Sequence, residues 1–237
     1  MAATRSRNVV TANAIQILSV AGMFGMFFLG ALYLRRVLGY DALQIGLAFL
    51  PVTLTMGTLS IRYSERLVTR FGARNTLVPG LVLIVLALVL FAQVPVQGSY
   101  FAHVMPSMLL LGIGAGICFP ALMNVAMSGT GPQDAGLASG LVNTTAQVGG
   151  ALGLAILATL SSSHSRHLEA QGRSSAAALV GGYHLAFWIA AALTATALAI
   201  VTAVLSPAVS RGRRRAREID GADVHGREGA SLTEPTS

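Results

Sequence analysis

Six long apolar runs, separated by short polar segments, limit what this chain can become more than any single residue does. They cover residues 11–34, 42–61, 75–94, 101–127, 136–160 and 183–205. About 20 residues carry a helix across a hydrocarbon core of about 30 Å, so each run is long enough. Lipid offers no partner for backbone N–H and C=O groups, and a run of this kind satisfies them as a helix. The expected fold class is all-α: a polytopic membrane protein with six transmembrane helices. Composition agrees, since only 11% of the 237 residues are charged, against about 25% in soluble domains.

All 16 basic residues are arginine and the net charge is +7. The arginines lie between and beyond the apolar runs. No basic stripe interleaves with aromatics, so nucleic acid is excluded as a partner. With the N-terminus inside, Arg5, Arg7, Arg62, Arg66, Arg70, Arg74, Arg211, Arg213, Arg214, Arg215 and Arg217 face the cytoplasm. Arg35, Arg36, Arg166 and Arg173 face out. This excess places both termini in the cytoplasm of a multi-pass cell-membrane protein. Residues 1–10 then form a cytoplasmic segment, and 206–237 an Arg-rich, disordered cytoplasmic tail that touches anionic lipid. The first run is too long for a signal peptide and reads as an uncleaved span. Residues 161–182 read as the longest outer loop.

Little here suggests catalysis. Cys118 is the sole cysteine, so neither an internal disulfide nor a multi-Cys metal site is expected, and no cofactor. Gly112, Gly114 and Gly116 in LLLGIGAGICFP (109–120) have GxGxG spacing rather than a dinucleotide fingerprint. They suit close helix packing with a bend at Pro120, where Asn124 can satisfy a freed carbonyl. Ser139 with His184 would be an intramembrane serine protease pair, but the GxSG context is missing and the two lie on opposite predicted sides. Asp41, Glu65, Asp134 and Glu169 sit at span ends or in loops, and the other acids lie in the tail. A proton carrier in mid-membrane is therefore not evident.

The fifth run, GLASGLVNTTAQVGGALGLA (136–155), is unusually polar. At 100° per residue Gly136, Gly140, Asn143, Gln147 and Gly150 share one stripe. Such a stripe admits another backbone closely and offers interhelical hydrogen bonds, as static packing or as a moving contact. Gly149 and Gly153 form a GxxxG on a neighbouring face. The third and sixth runs lack a polar face and read as peripheral, with lipid on most sides. The first, fourth and fifth are interior candidates. Met and Phe in the first run suit either core or an adaptable binding wall. Gln16, Met23, Met26, Phe27, Met108 and Asn124 are the substrate-cavity candidates. In SERLVTRFGARNTL (64–77), Arg66, Arg70 and Arg74 recur every fourth residue. They serve topology alone, or a latch to acids or helix C-termini. Six spans also divide three plus three, and consecutive three-span units are necessarily inverted.

Residues 10–205 resemble the C-terminal six-helix half of a major facilitator superfamily transporter, closest to the 14-span drug:proton antiporters. The resemblance rests on FGMFFLGALYL (24–34), GLAFLPVTL (46–54) and the 136–155 stretch. Leu67, Arg70, Gly72, Arg74 and Leu77 match the inner-loop pattern G-x-L-x-D-R-x-G-R-R-x-x-L. Glu65, Thr69 and Ala73 depart from it, and Ala146 stands where relatives often carry Arg. The resemblance implies that the first and fourth spans line a central cavity. It places the second and fifth against the other half and the third and sixth at the periphery. Its implied function is multidrug-efflux-like, proton-coupled antiport of a small apolar or cationic substrate. A lone half would need an N-terminal half or a homodimer. The alternative is a non-transporting truncated remnant or membrane partner of a full carrier.

Overall fold

A computed structural model describes residues 2–127, 133 and 135–204, with side chains from residue 11 onward except 64, 65 and 135. Asp134 and the 206–237 tail lie outside the described residues. The chain divides into Met1–Thr202 and Ala203–Ser237, and the architecture below is that of the first unit. The helices are α1 (Ala2–Arg36), α2 (Ala42–Ala48), α3 (Leu50–Arg62), α4 (Ser64–Phe71), α5 (Ala73–Phe91), α6 (Met105–Met127), α7 (Ala135–Ala170) and α8 (Ser175–Val204). A single π-type turn, Tyr100–Val104, leads into α6. No strand occurs among the described residues. Six segments are long and apolar enough to cross a membrane: Thr11–Arg36, Ala42–Arg62, Ala73–Phe91, Tyr100–Met127, Gly136–Ala170 and Ser175–Val204.

The second span is broken into α2 and α3 at Phe49. Pro51 has no N–H to donate to the preceding turn, so the ladder is interrupted there. The Phe49 amide is shared between its ordinary helical acceptor Ile45 O, at 3.1 Å, and Gly46 O, at 3.2 Å. Thr53 Oγ1 donates to Phe49 O at 3.0 Å and Thr55 Oγ1 to Pro51 O at 2.6 Å. The start of α2 is fixed by a reciprocal capping box. Gln44 N donates to Asp41 Oδ1 at 2.8 Å, and Asp41 N to Gln44 Oε1 at 3.0 Å.

Glycines decide how closely the spans approach. A Cβ at Gly112 would lie 2.8 Å from Val52 O, and one at Gly116 2.8 Å from Met56 O, so this GxxxG face seats α3 on α6. Gly114 points to the opposite side, where a Cβ would lie 2.6 Å from Gly80 O of α5. On α7, Gly149, Gly150 and Gly153 receive Ile17, Phe24 and Ala21 of α1. Gly22 of α1 faces Thr194 and Ala190 of α8. The second and third spans thus pack on the fourth, and the fifth and sixth on the first. At one end of the bundle an edge-to-face chain joins Tyr33, Phe91 and Phe187, with centroids 6.0 and 4.8 Å apart. There Tyr33 Oη donates to Pro95 O at 2.9 Å, and His184 Nε2 pairs with Val94 O at 2.8 Å.

One sequence expectation changes and a second is refined. The loop over 161–182 is helical except at residues 171–174, because α7 runs through Ala170 and α8 starts at Ser175. Ser161 and Ser165, four residues apart and buried, form a small face that receives Gly182; polarity concealed a packing surface. The third and sixth spans, expected to meet lipid on most sides, each also bury one protein-facing stripe. Thr76, Leu77, Gly80, Leu81, Ile84, Ala87, Leu88 and Phe91 form a buried stripe on α5, and α8 has its own. A helix apolar all round gives no angular sign of which side meets protein.

Candidate functional site

The most exposed spans are the second and the fifth, and each leaves one flank open. On α7, Gly136 and Gly140 have no heavy atom within 4 Å of an added Cβ. Asn143 and Gln147, on the same stripe, are exposed. Neither amide side chain has a partner among the described residues. Gly150 does not belong to this open flank, since a Cβ there would lie 3.1 Å from the Phe24 ring. The polar stripe is therefore divided: its first three turns are free, and its continuation is closed by α1.

On α2 and α3 the open flank is apolar. Leu43, Leu47, Leu50, Leu54 and Ile61 are exposed, and Gly46 and Gly57 have open space where a Cβ would be. A groove of about 750 Å³ lies along it, lined by Thr53, Leu54, Gly57, Thr58, Ile61, Arg62 and Arg66. Sequence reading used Arg62 and Arg66 for topology and quoted Thr53 and Leu54 within 46–54, but did not group these residues as a site. The signal was present nonetheless. At 100° per residue Leu43, Gly46, Leu50, Leu54, Gly57 and Ile61 share a stripe about 80° wide, the same construction that marks the fifth span.

The six cavity candidates do not form one wall. Met26 and Met108 are 0% exposed and Met23 is 5% exposed, all in the packed interior. Gln16 is buried, and its Nε2 donates to Val142 O at 3.4 Å, joining α1 to α7. Phe27 is half-buried and stacks on Phe49 with centroids 5.5 Å apart. Asn124 is exposed, and its Nδ2 donates to Pro120 O at 2.9 Å. That is the carbonyl of the proline itself, not the Gly116 carbonyl that the proline leaves without an amide donor.

The inner-loop residues are divided by Gly72, which joins α4 to α5 at φ 85°. A positive φ suits glycine and strains residues with a Cβ. Because of this joint Arg74 is not the next step of an Arg66–Arg70 row. It lies in the first turn of α5, and its Nη2 donates to Thr202 O at 3.1 Å. The contact is with one carbonyl near the end of α8, where a cation is favoured. Arg70 lies 5.5 Å from the Phe71 ring centroid. Leu77 is fully buried in α5 and Leu67 half-buried on α4.

Ser139 and His184 stay apart. Ser139 is the fifth residue of the 36-residue α7 and His184 the tenth of α8, so about 30 Å of helix rise separates their levels in the hairpin. Among the described residues no group of three or more His, Cys, Asp or Glu is placed to hold a metal. Cys118 is buried, its Sγ 3.6 Å from Leu77 O.

A family model for the Major Facilitator Superfamily matches residues 3–154. The chain belongs to the Major Facilitator Superfamily. The puromycin resistance protein of Streptomyces alboniger is 32% identical over 202 residues, which cover 84% of this chain and 40% of that protein. The cephamycin export protein of Amycolatopsis lactamdurans is 33% identical over 199 residues, covering 84% and 39%. A lincomycin resistance protein of Streptomyces lincolnensis is 32% identical over 152 residues, covering 64% and 31%. This superfamily member thus spans about two fifths of the length of the first two relatives. It is a multi-pass membrane protein of a transporter family whose curated relatives include drug- and antibiotic-resistance exporters.

Proposed function

We propose that this chain is the C-terminal six-span bundle of a drug-efflux-type, proton-coupled antiporter, with both termini in the cytoplasm. It moves a small apolar or cationic substrate against a second bundle, either an N-terminal half or another copy of itself. The observation that carries this reading is the open flank of α7. Asn143 and Gln147 sit unpartnered beside Gly136 and Gly140 on a helix meant for lipid. Polar side chains in lipid are retained where a protein surface or a water-filled cavity receives them. The small apolar stripe of α2, with Leu43, Gly46 and Leu47 open, supplies a second open edge. Alternating access by two bundles rocking about a midplane site needs contact edges of this kind. The shares of the relatives that it covers, 40% and 39%, fit one bundle of a larger carrier.

The test is co-expression with the separated N-terminal bundle of the Streptomyces alboniger relative. The pair is expected to co-purify and to extrude a lipophilic cationic dye that neither bundle extrudes alone. A Gly140→Cys variant reports self-association, since Cys118 is buried. A disulfide-linked dimer with dye efflux by the chain alone supports the homodimer. Absence of association and efflux in both formats overturns the proposal in favour of a non-transporting membrane component.

A further inference from the structure

The groove on α3 has two unlike ends. One is apolar and hydroxyl-bearing: Leu54 and Ile61 are exposed, Gly57 leaves the floor open, and Thr53 and Thr58 line it. The other end carries Arg62, the last residue of α3, and Arg66 on α4. Both guanidiniums are exposed and without a partner among the described side chains. The two described carboxylates are engaged elsewhere, Asp41 in the α2 cap and Glu169 with Ser175 Oγ at 3.1 Å. Arg74 is held by α8, so it does not compete for the same ligand. Tyr63 and Phe71, the exposed aromatics at the two ends of α4, mark this level as the membrane–water boundary.

An apolar channel that runs along a spanning helix and ends at two unneutralised cations beside interfacial aromatics has the chemistry of an anionic phospholipid. We propose that the groove is a binding site for one anionic phospholipid, with an acyl chain along Leu54, Gly57 and Ile61 and the phosphate between Arg62 and Arg66. Free phosphate would use the arginines but leave the channel empty, and a zwitterionic lipid would meet unbalanced positive charge. The cytoplasmic leaflet is the one richer in anionic lipid, so the natural occupancy rests on the orientation proposed above, whereas the binding chemistry does not. In the two-bundle carrier the lipid would sit on α3, beside the α2 edge proposed to meet the second bundle.

The experiment uses the full chain in detergent micelles, and native mass spectrometry counts bound lipid with phosphatidylglycerol, phosphatidylcholine or inorganic phosphate added. Phosphatidylglycerol is expected to be retained in preference to phosphatidylcholine. Each of R62Q and R66Q is expected to lower its retention about five-fold, and R35Q/R36Q, which removes the charge of both together elsewhere, to leave it unchanged. G57L fills the channel floor at a position with open space. It is expected to lower phosphatidylglycerol retention with both arginines intact and without affecting phosphate. Equal loss in R35Q/R36Q and R62Q/R66Q means general charge attraction and overturns the proposal. So does full competition by millimolar phosphate, which means an anion site only. Retention that is insensitive to R62Q and R66Q, with these residues shielded from chemical labelling by a co-expressed N-terminal bundle, overturns it in favour of a protein partner. Dye transport is not read, so failure of the two-bundle reading and failure of the lipid site remain separate results.

Discussion

Gly114 and Gly140 are the same residue in two opposite settings. A side chain at Gly114 meets Gly80 O at 2.6 Å and Ile84 Cγ1 at 2.8 Å, so it must push α5 from α6. Overpacking of this kind costs about 1–3 kcal/mol, and Gly114→Val is expected to lower the thermal midpoint measured in detergent by several degrees. Gly140→Val meets nothing within 4 Å and is expected to leave that midpoint unchanged, within about 0.5 kcal/mol. Gln16→Leu removes the bond to Val142 O. It is expected to cost about 0.6–1.7 kcal/mol in the same measurement, with no change in secondary structure by circular dichroism. Sequence reading found the glycine patterns but not their partners. Helical periodicity groups Gly112 with Gly116 and sets Gly114 apart; it carries no information on which neighbour each face meets. For Met23, Met26 and Met108 even the environment was illegible, because an interior site and a binding wall both favour the same side chains.

Among elements, the broken second span and α7 carry the functional argument. Val52 and Leu54 are two residues apart on α3, yet Val52 is 0% exposed and Leu54 64% exposed. A thiol at Leu54 is expected to react fully with a maleimide in micelles, and a thiol at Val52 to react at least ten-fold more slowly. Cys118, being buried, contributes little background. Equal rates would mean that the flank closes in solution. The six spans themselves were legible, since length and hydropathy suffice for a helix in lipid. Their continuation past Leu160 was not, because SSSHSRHLEA reads as loop by polarity while Ser161 and Ser165 fold as a small packing face. The joint at Gly72 was also hidden. A row of arginines at every fourth residue implies one helix, and only the backbone reveals that Arg74 begins another.

Across the whole six-span unit the trios interlock. Each trio's first span is packed by the second and third spans of the other, so neither trio forms a separate core, and the second and fifth spans keep the most open flanks. Asn143→Leu with Gln147→Leu changes two exposed side chains that make no hydrogen bond among the described residues. The double variant is expected to keep the thermal midpoint of the isolated chain and to lose most co-purification with the N-terminal bundle, read as at least a ten-fold lower yield of complex. Unchanged pairing would remove α7 from the contact.

The hairpin of α7 and α8 has one further consequence. At 36 residues, α7 rises about 54 Å, well beyond the roughly 30 Å that the hydrocarbon requires, and its surplus is the hydroxyl- and histidine-bearing end. The four-residue tip at 171–174 therefore stands clear of the headgroups on a stiff stalk, a natural handle on the molecule. A short epitope inserted at Gly172 is expected to be stained by antibody on unbroken spheroplasts, and staining that appears only after lysis would turn the proposed topology upside down.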